Sequence, residues 1–233
     1  MTAFEAAVFD MDGLLVDSEV LWHEAELEIL VPLGAPIDPA AARATKGLFV
    51  EEVVAHWHGR SPWSAPSVRD VADRILDRVG TLVESKGRLL PGALRALDMT
   101  GRLGPRALAS STPTTLIMRT LEHFDIADAF DVICSAEDEA YGKPHPAVFL
   151  TAAQRLGVDP RACVVFEDSE AGVLAAKAAR MTCVAVPAAE DRGRPGFGIA
   201  DVVLPGLQDL DETWVTSRYA TREMQSPALP GDR

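Results

Sequence analysis

Asp10 and Asp12 are carboxylates spaced i, i+2, and they stand where an apolar run, Ala6-Ala7-Val8-Phe9, stops and Gly13 follows. Such a run reads as a buried strand of a parallel sheet, with the carboxylates at its carboxyl end, where open α/β sheets bind ligands. Two like charges so close are costly to bury unless a cation or a proton transfer uses them. The pair therefore asks for a metal ion and a reaction. By itself Asp-x-Asp-Gly is a short motif that chance supplies. A calcium loop of the EF-hand kind does not fit, because Gly13 comes too early and the twelfth position from Asp10 is Leu21.

Three further polar groups follow in chain order. Ser110 and Ser111 close the run Arg106-Ala107-Leu108-Ala109, Lys143 sits in Gly-Lys-Pro-His-Pro, and Glu167 and Asp168 close Cys163-Val164-Val165-Phe166. Each alone has an ordinary explanation. A serine or threonine after a strand caps the next helix, a loop lysine is solvated, and an aspartate before Ser169 favours a helix N-terminus. Strand ends of a parallel sheet converge on one edge, however, and these groups taken in order make one site.

The elements that must position them are legible as a pattern. After about Leu89, apolar runs that include Val132-Ile133-Cys134, Cys183 to Val186 and Val202 to Leu204 alternate with helical stretches. This predicts an α/β fold, a Rossmann-like doubly wound parallel sheet with right-handed crossovers. Pro113 suits the first position of a helix, with Thr112 as its N-cap. Between Asp17 and Gly87 the pattern is helical instead. Leu21, Ala25, Ile29 and Leu33 share a face before Gly34; Pro36, Pro39, Gly47 and the Pro/Ser-rich stretch 61–67 divide the remainder. An inserted all-helical cap is expected, so that 1–18 and 89–215 form the core, 19–88 the cap, and 216–233 a disordered polar tail.

Composition narrows the class. Apolar residues make up 48% of the 233 and charged residues 24%, as in ordinary globular proteins, and the net charge of −13 argues against a nucleic-acid or anionic-membrane surface. Cys134, Cys163 and Cys183 are odd in number and lie in or beside apolar runs, which suits buried, reduced thiols and a cytoplasmic protein. No basic leader and no membrane-length apolar stretch is visible.

Over about residues 4–210 the sequence resembles the haloacid dehalogenase superfamily, and its phosphatases in particular. The motifs that carry the resemblance are Asp10-x-Asp12-Gly13, Ser110 after the second strand, Lys143 in Gly-Lys-Pro-His-Pro, and Glu167-Asp168-Ser169. The helical insertion resembles the cap of the subgroup that holds β-phosphoglucomutase and small-sugar-phosphate phosphatases. The resemblance implies a Mg²⁺-dependent phosphatase of hexose or hexitol 6-phosphates working through an aspartyl phosphate. Asp10 would be the nucleophile and Asp12 the general acid and base. Asp10, Asp12 through its carbonyl, and Asp168 would ligate Mg²⁺, with Glu167 in or near that shell. Ser110, with the N–H groups of Ser111 and Met11, would hold phosphoryl oxygens, and Lys143 would meet those oxygens and the nucleophile. Trp22, Thr45, Lys46 and Gly47 match positions that face the substrate from the cap. The cap would act as a lid hinged near Asp17–Val20 and Arg88–Pro91, over a chain expected to be monomeric.

Other readings share parts of this pattern. A phosphomutase would use the same first half-reaction, but the stretch Gly47-Leu48-Phe49-Val50 lacks the arginine with which mutases of this subgroup grip the non-reacting phosphate. A haloacid dehalogenase needs neither metal nor an acid/base aspartate at Asp12. A non-catalytic sugar-phosphate binder would be expected to have lost a catalytic carboxylate, and none is missing.

Overall fold

The structure is a computed structural model that describes residues 3–37 and 48–219. Its centre is a six-stranded sheet of β1 (Ala6–Phe9), β2 (Arg106–Ser110), β3 (Val132–Ser135), β4 (Cys163–Glu167), β5 (Thr182–Ala185) and β6 (Val202–Val203). The spatial order is β3-β2-β1-β4-β5-β6 and every pairing is parallel. β1 is therefore central, with β2 on one side and β4 on the other. The order of strands reverses there, and in doubly wound sheets the crevice at such a point receives the ligand.

The apolar runs are continuous because both faces of the sheet are covered. Ala7 and Phe9 of β1 face one layer, with Leu108, Phe166, α4 (Ala93–Gly101) and α5 (Thr114–His123). Ala6 and Val8 face the other, with Ala109, Val165, α6 (Ala147–Leu156) and α7 (Glu170–Ala178). In the first layer the rings of Phe9 and Phe166 stack with centroids 4.6 Å apart. Adjacent strands thus present equivalent residues in register, Phe9 opposite both Leu108 and Phe166. Asp10, one residue beyond, is carried to the same height as the ends of β2 and β4. The three cysteines are all buried and reduced.

Between β1 and β2 the described elements on the far side of the cleft are α1 (Glu19–Leu30), α2 (Val50–Arg60) and α3 (Val68–Lys86). They enclose their own apolar cluster, in which Leu21, Leu30, Val54, Trp57, Ile75 and Leu82 are buried. Gly34 ends the first of these segments with φ 85, the left-handed conformation that favours glycine there. Ser67 opens α3 with a reciprocal capping box to Asp70, the signal carried by Ser-x-x-Asp.

Two expectations need correcting. The tail does not begin at 216, because α8 (Glu212–Thr216) and Tyr219 pack on the core and Tyr219 bridges to Phe4. Tyr219 carries an apolar ring that the polar surroundings obscured. Thr112 does not cap α5. The N-cap position is Pro113, and the Thr112 side chain is drawn to Asp12 instead.

Candidate active site

The strand ends meet in a cleft of about 340 Å³ whose core side is lined by Asp10, Asp12, Ser110, Ser111, Lys143 and Asp168. These residues are more than ninety positions apart in places, and the parallel register assembles them. On the cap side Trp22, Glu26, Leu48, Val50 and Val53 face the same space. Thr45, Lys46 and Gly47 lie outside the described residues.

Lys143 is buried and bridges two carboxylates, 2.9 Å from Asp10 Oδ1 and 2.6 Å from Glu167 Oε1. Its ammonium also stands 5.0 Å over the Phe149 ring. Burial works against the charge on Lys143, but the carboxylates of Asp10 and Glu167 outweigh it and raise its pKa above the usual lysine range. Glu167 spends its other oxygen on the N–H and hydroxyl of Ser169, which is the N-cap of α7. The close approach of α7 needs Gly172, since a Cβ there would lie 1.8 Å from Glu167 Oε1. Gly13, with φ +72, plays a comparable part beneath Asp168, whose Oδ2 a Cβ would meet at 2.3 Å.

Asp12 is oriented by three side-chain donors: Ser18 Oγ at 2.6 Å and Trp22 Nε1 at 2.9 Å on Oδ1, and Thr112 Oγ1 at 2.7 Å on Oδ2. Trp22 was expected to face substrate from the cap; it also holds the Asp12 carboxylate. Ser18 and Thr112 were not singled out for this role. The contacts run over six and 100 positions of sequence, and only the fold brings the second pair together. The β2 loop is held in turn by β3, where Ser135 Oγ donates to the Thr112 carbonyl at 2.8 Å. Ser110 Oγ accepts from the Thr112 N–H at 3.2 Å, which leaves its own hydroxyl proton for an acceptor in the cleft.

Burial raises the Asp10 pKa to about 7, against the pull of Lys143 and with a push from Glu167 and Asp12. The donor chemistry explains what would relieve it. Oxygens of Asp10, Glu167 and Asp168 lie within 4.8 Å of one another, all three residues buried. Three carboxylates against the single ammonium of Lys143 leave two negative charges, which a divalent cation with a preference for oxygen would neutralise. The residues fit such an ion.

A parallel sheet that carries these groups at its switch point defines a hydrolase of the haloacid dehalogenase type. Residues 4–180 match the family model of haloacid dehalogenase-like hydrolases, and the chain belongs to that family. Among its relatives is hexitol phosphatase B of Escherichia coli strain K12, 45% identical over 88% of this chain and 93% of that enzyme. A phosphorylated carbohydrates phosphatase of Thermotoga maritima is 33% identical over 75% of this chain and 81% of its own. A crystal structure of β-phosphoglucomutase from Clostridium difficile superposes with TM-score 0.80 at 26% identity, covering 93% of this chain and 97% of the other.

Proposed function

We propose that the chain is a Mg²⁺-dependent phosphatase that hydrolyses hexose or hexitol 6-phosphates through an aspartyl-phosphate intermediate. The observation that carries this reading is the division of labour between Asp10 and Asp12 in one cleft. Asp10 is held by the Lys143 ammonium, and Asp12 by three neutral donors. The phosphatases of phosphorylated hexitols and carbohydrates among the relatives support the substrate class.

In the first displacement an Asp10 oxygen attacks phosphorus, the bond to the sugar oxygen breaks, and Asp12 gives its proton to that leaving oxygen. In the second, water attacks the aspartyl phosphate, its proton passes to Asp12, and the Asp10–phosphorus bond breaks to release phosphate. Ser110 Oγ and the N–H groups of Ser111 and Met11 would hold the phosphoryl oxygens, and Lys143 would stabilise their charge. Asp10 and Asp168, with the main chain of Asp12, would hold Mg²⁺; Glu167 is committed to Lys143 and Ser169 and would act behind them. When bound, the ion supplies positive charge to the phosphoryl oxygens and keeps Asp10 ionised.

A mutase needs a grip on a second phosphate. Val50 is one of the residues that take the place of the missing arginine, and it lines the cleft as an apolar side chain. Phe49 lies against Gly142 of the core, where a Cβ would meet its ring at 2.4 Å. Hydrolysis is therefore the better reading. The working unit would be one chain divided as core 1–18 and 89–215 and cap 19–88, monomeric, with a small phosphate ester as its partner.

The test is phosphate release from a panel of esters, with Mg²⁺ and with EDTA. It should include sorbitol, mannitol, glucose and 2-deoxyglucose 6-phosphates and β-glucose 1-phosphate. Release confined to Mg²⁺ and concentrated in the 6-phosphates is expected. Conversion of β-glucose 1-phosphate to glucose 6-phosphate with little free phosphate would overturn the phosphatase in favour of the mutase.

A further inference from the structure

Trp22 and Glu26 are four residues apart on α1 and both line the cleft. Trp22 Nε1 donates to Asp12, so it marks the place where the leaving oxygen would stand. Glu26 follows one helical turn later, about 6 Å further from the strand ends along the axis of α1. Its carboxylate shares that end of the cleft with the apolar side chains of Leu48, Val50 and Val53. No donor among the described residues reaches it, and burial pushes its pKa up to about 7. A carboxylate in that position is costly to hold unless a ligand brings it donors.

Charge along the described lining of the cleft points the same way. The one lysine or arginine among the described lining residues is Lys143, and its ammonium is engaged by Asp10 and Glu167 at the strand ends. Glu19, Glu190 and Asp191 add carboxylates to the lining. A hydroxyl-bearing carbon chain is welcome beside the Glu26 carboxylate, and a second phosphate is not.

We infer that Glu26 sets the substrate class of the cleft: its carboxylate accepts hydrogen bonds from hydroxyls several carbons away from the reacting phosphate and repels a second phosphate there. This rests on the phosphatase reading and deepens it. The enzyme then prefers singly phosphorylated polyols and sugars over esters without hydroxyls and over sugar bisphosphates.

The experiment compares wild type, Glu26→Gln and Glu26→Leu on sorbitol 6-phosphate, phenyl phosphate and fructose 1,6-bisphosphate, with Mg²⁺ present. The readout is the ratio of kcat/KM between substrates within each variant, so that a partial loss of fold lowers both values and cancels. Glu26→Leu is expected to reduce the preference for sorbitol 6-phosphate over phenyl phosphate about tenfold, through a hydrogen bond to a charged group, with KM carrying most of the change. Glu26→Gln keeps an acceptor but not the charge; it should retain part of that preference while discriminating less against the bisphosphate. Ratios unchanged in both variants would overturn the role of Glu26 and leave the phosphatase standing. Absence of phosphate release from every ester by the wild type would instead overturn the phosphatase, and this inference with it.

Discussion

Asp12 illustrates what a single residue gains from its neighbours. Its two oxygens receive hydrogen bonds from Ser18, Trp22 and Thr112, which come from the N-cap of α1, the first turn of α1 and the loop after β2. A carboxylate that must give up and take back a proton at one point in space needs this fixed orientation. Thr112→Val keeps the shape and removes the donor on Oδ2, and kcat should fall by about tenfold to a hundredfold, the worth of one hydrogen bond to a charged group. Asp10→Asn should abolish turnover with the fold intact, read by phosphate release beside circular dichroism; an active variant would remove Asp10 as nucleophile. Glu26 supplies a prediction in pH. Its pKa is raised by burial from 4.5 to about 7, so the folded state holds a proton that the unfolded state has lost. Its contribution therefore turns unfavourable as pH rises through that window. With Glu19 and His23 sharing the cleft and unaltered, Glu26→Gln should melt higher than wild type above pH 7, and the gap should close towards pH 4.

Elements place these residues. The strand ends were legible because a buried parallel strand is an uninterrupted apolar run that stops at its functional residue, as Phe9 does before Asp10 and Phe166 before Glu167. The helical insertion was legible from the spacing of Leu21, Ala25 and Ile29, and the cleft in outline from the order of the polar groups. Contacts between elements were not. Nothing local distinguishes Thr112 the helix cap from Thr112 the partner of Asp12, since a hydroxyl beside a proline serves either, and the choice is made by a residue 100 positions away. Glu26 was passed over for a similar reason: a charged residue on an amphipathic helix reads as solvent-facing until the opposite wall is known. Gly172 is a further case. It sits inside α7, where glycine is normally a cost, and its reason is the Glu167 carboxylate pressed against it. Gly172→Ala should overpack the site and destabilise the fold by about 1–3 kcal/mol in denaturant unfolding. It should also depress activity, because the Glu167 carboxylate that yields to the new methyl is the one that holds Lys143.

On the scale of the whole molecule, the helical cluster meets the core where α3 packs on α5 and Leu116 and Phe124 join its apolar cluster. The two chain crossings lie side by side: Leu90 N–H donates to the Leu15 carbonyl at 2.8 Å, Asp17 N–H to the Arg88 carbonyl at 2.9 Å, and Arg88 Nε to the Asp17 carboxylate at 2.8 Å. Such a paired connection can bend without stretching, which suits a lid. Away from it, Arg119 of α5 makes a bidentate pair with Glu84 of α3, both bonds 2.7 Å. The pair is too exposed to matter much for folding, and exposed pairs weaken with salt. It joins the helical cluster to the core, however, and if the cap moves as a lid, what is small for stability is sizeable for the equilibrium between its open and closed forms. Losing the pair shifts that equilibrium towards the open form, and apparent affinity for a substrate bound by the closed form falls with it. Arg119→Ala should therefore raise KM by up to about fivefold while the melting temperature hardly changes. Raising the ionic strength should raise KM in the wild type and do so less in the variant. Glu84→Ala should act alike, and the double variant should be no worse than either single one. Additive effects in that cycle would show that the two side chains act separately, and that the pair does not hold the lid.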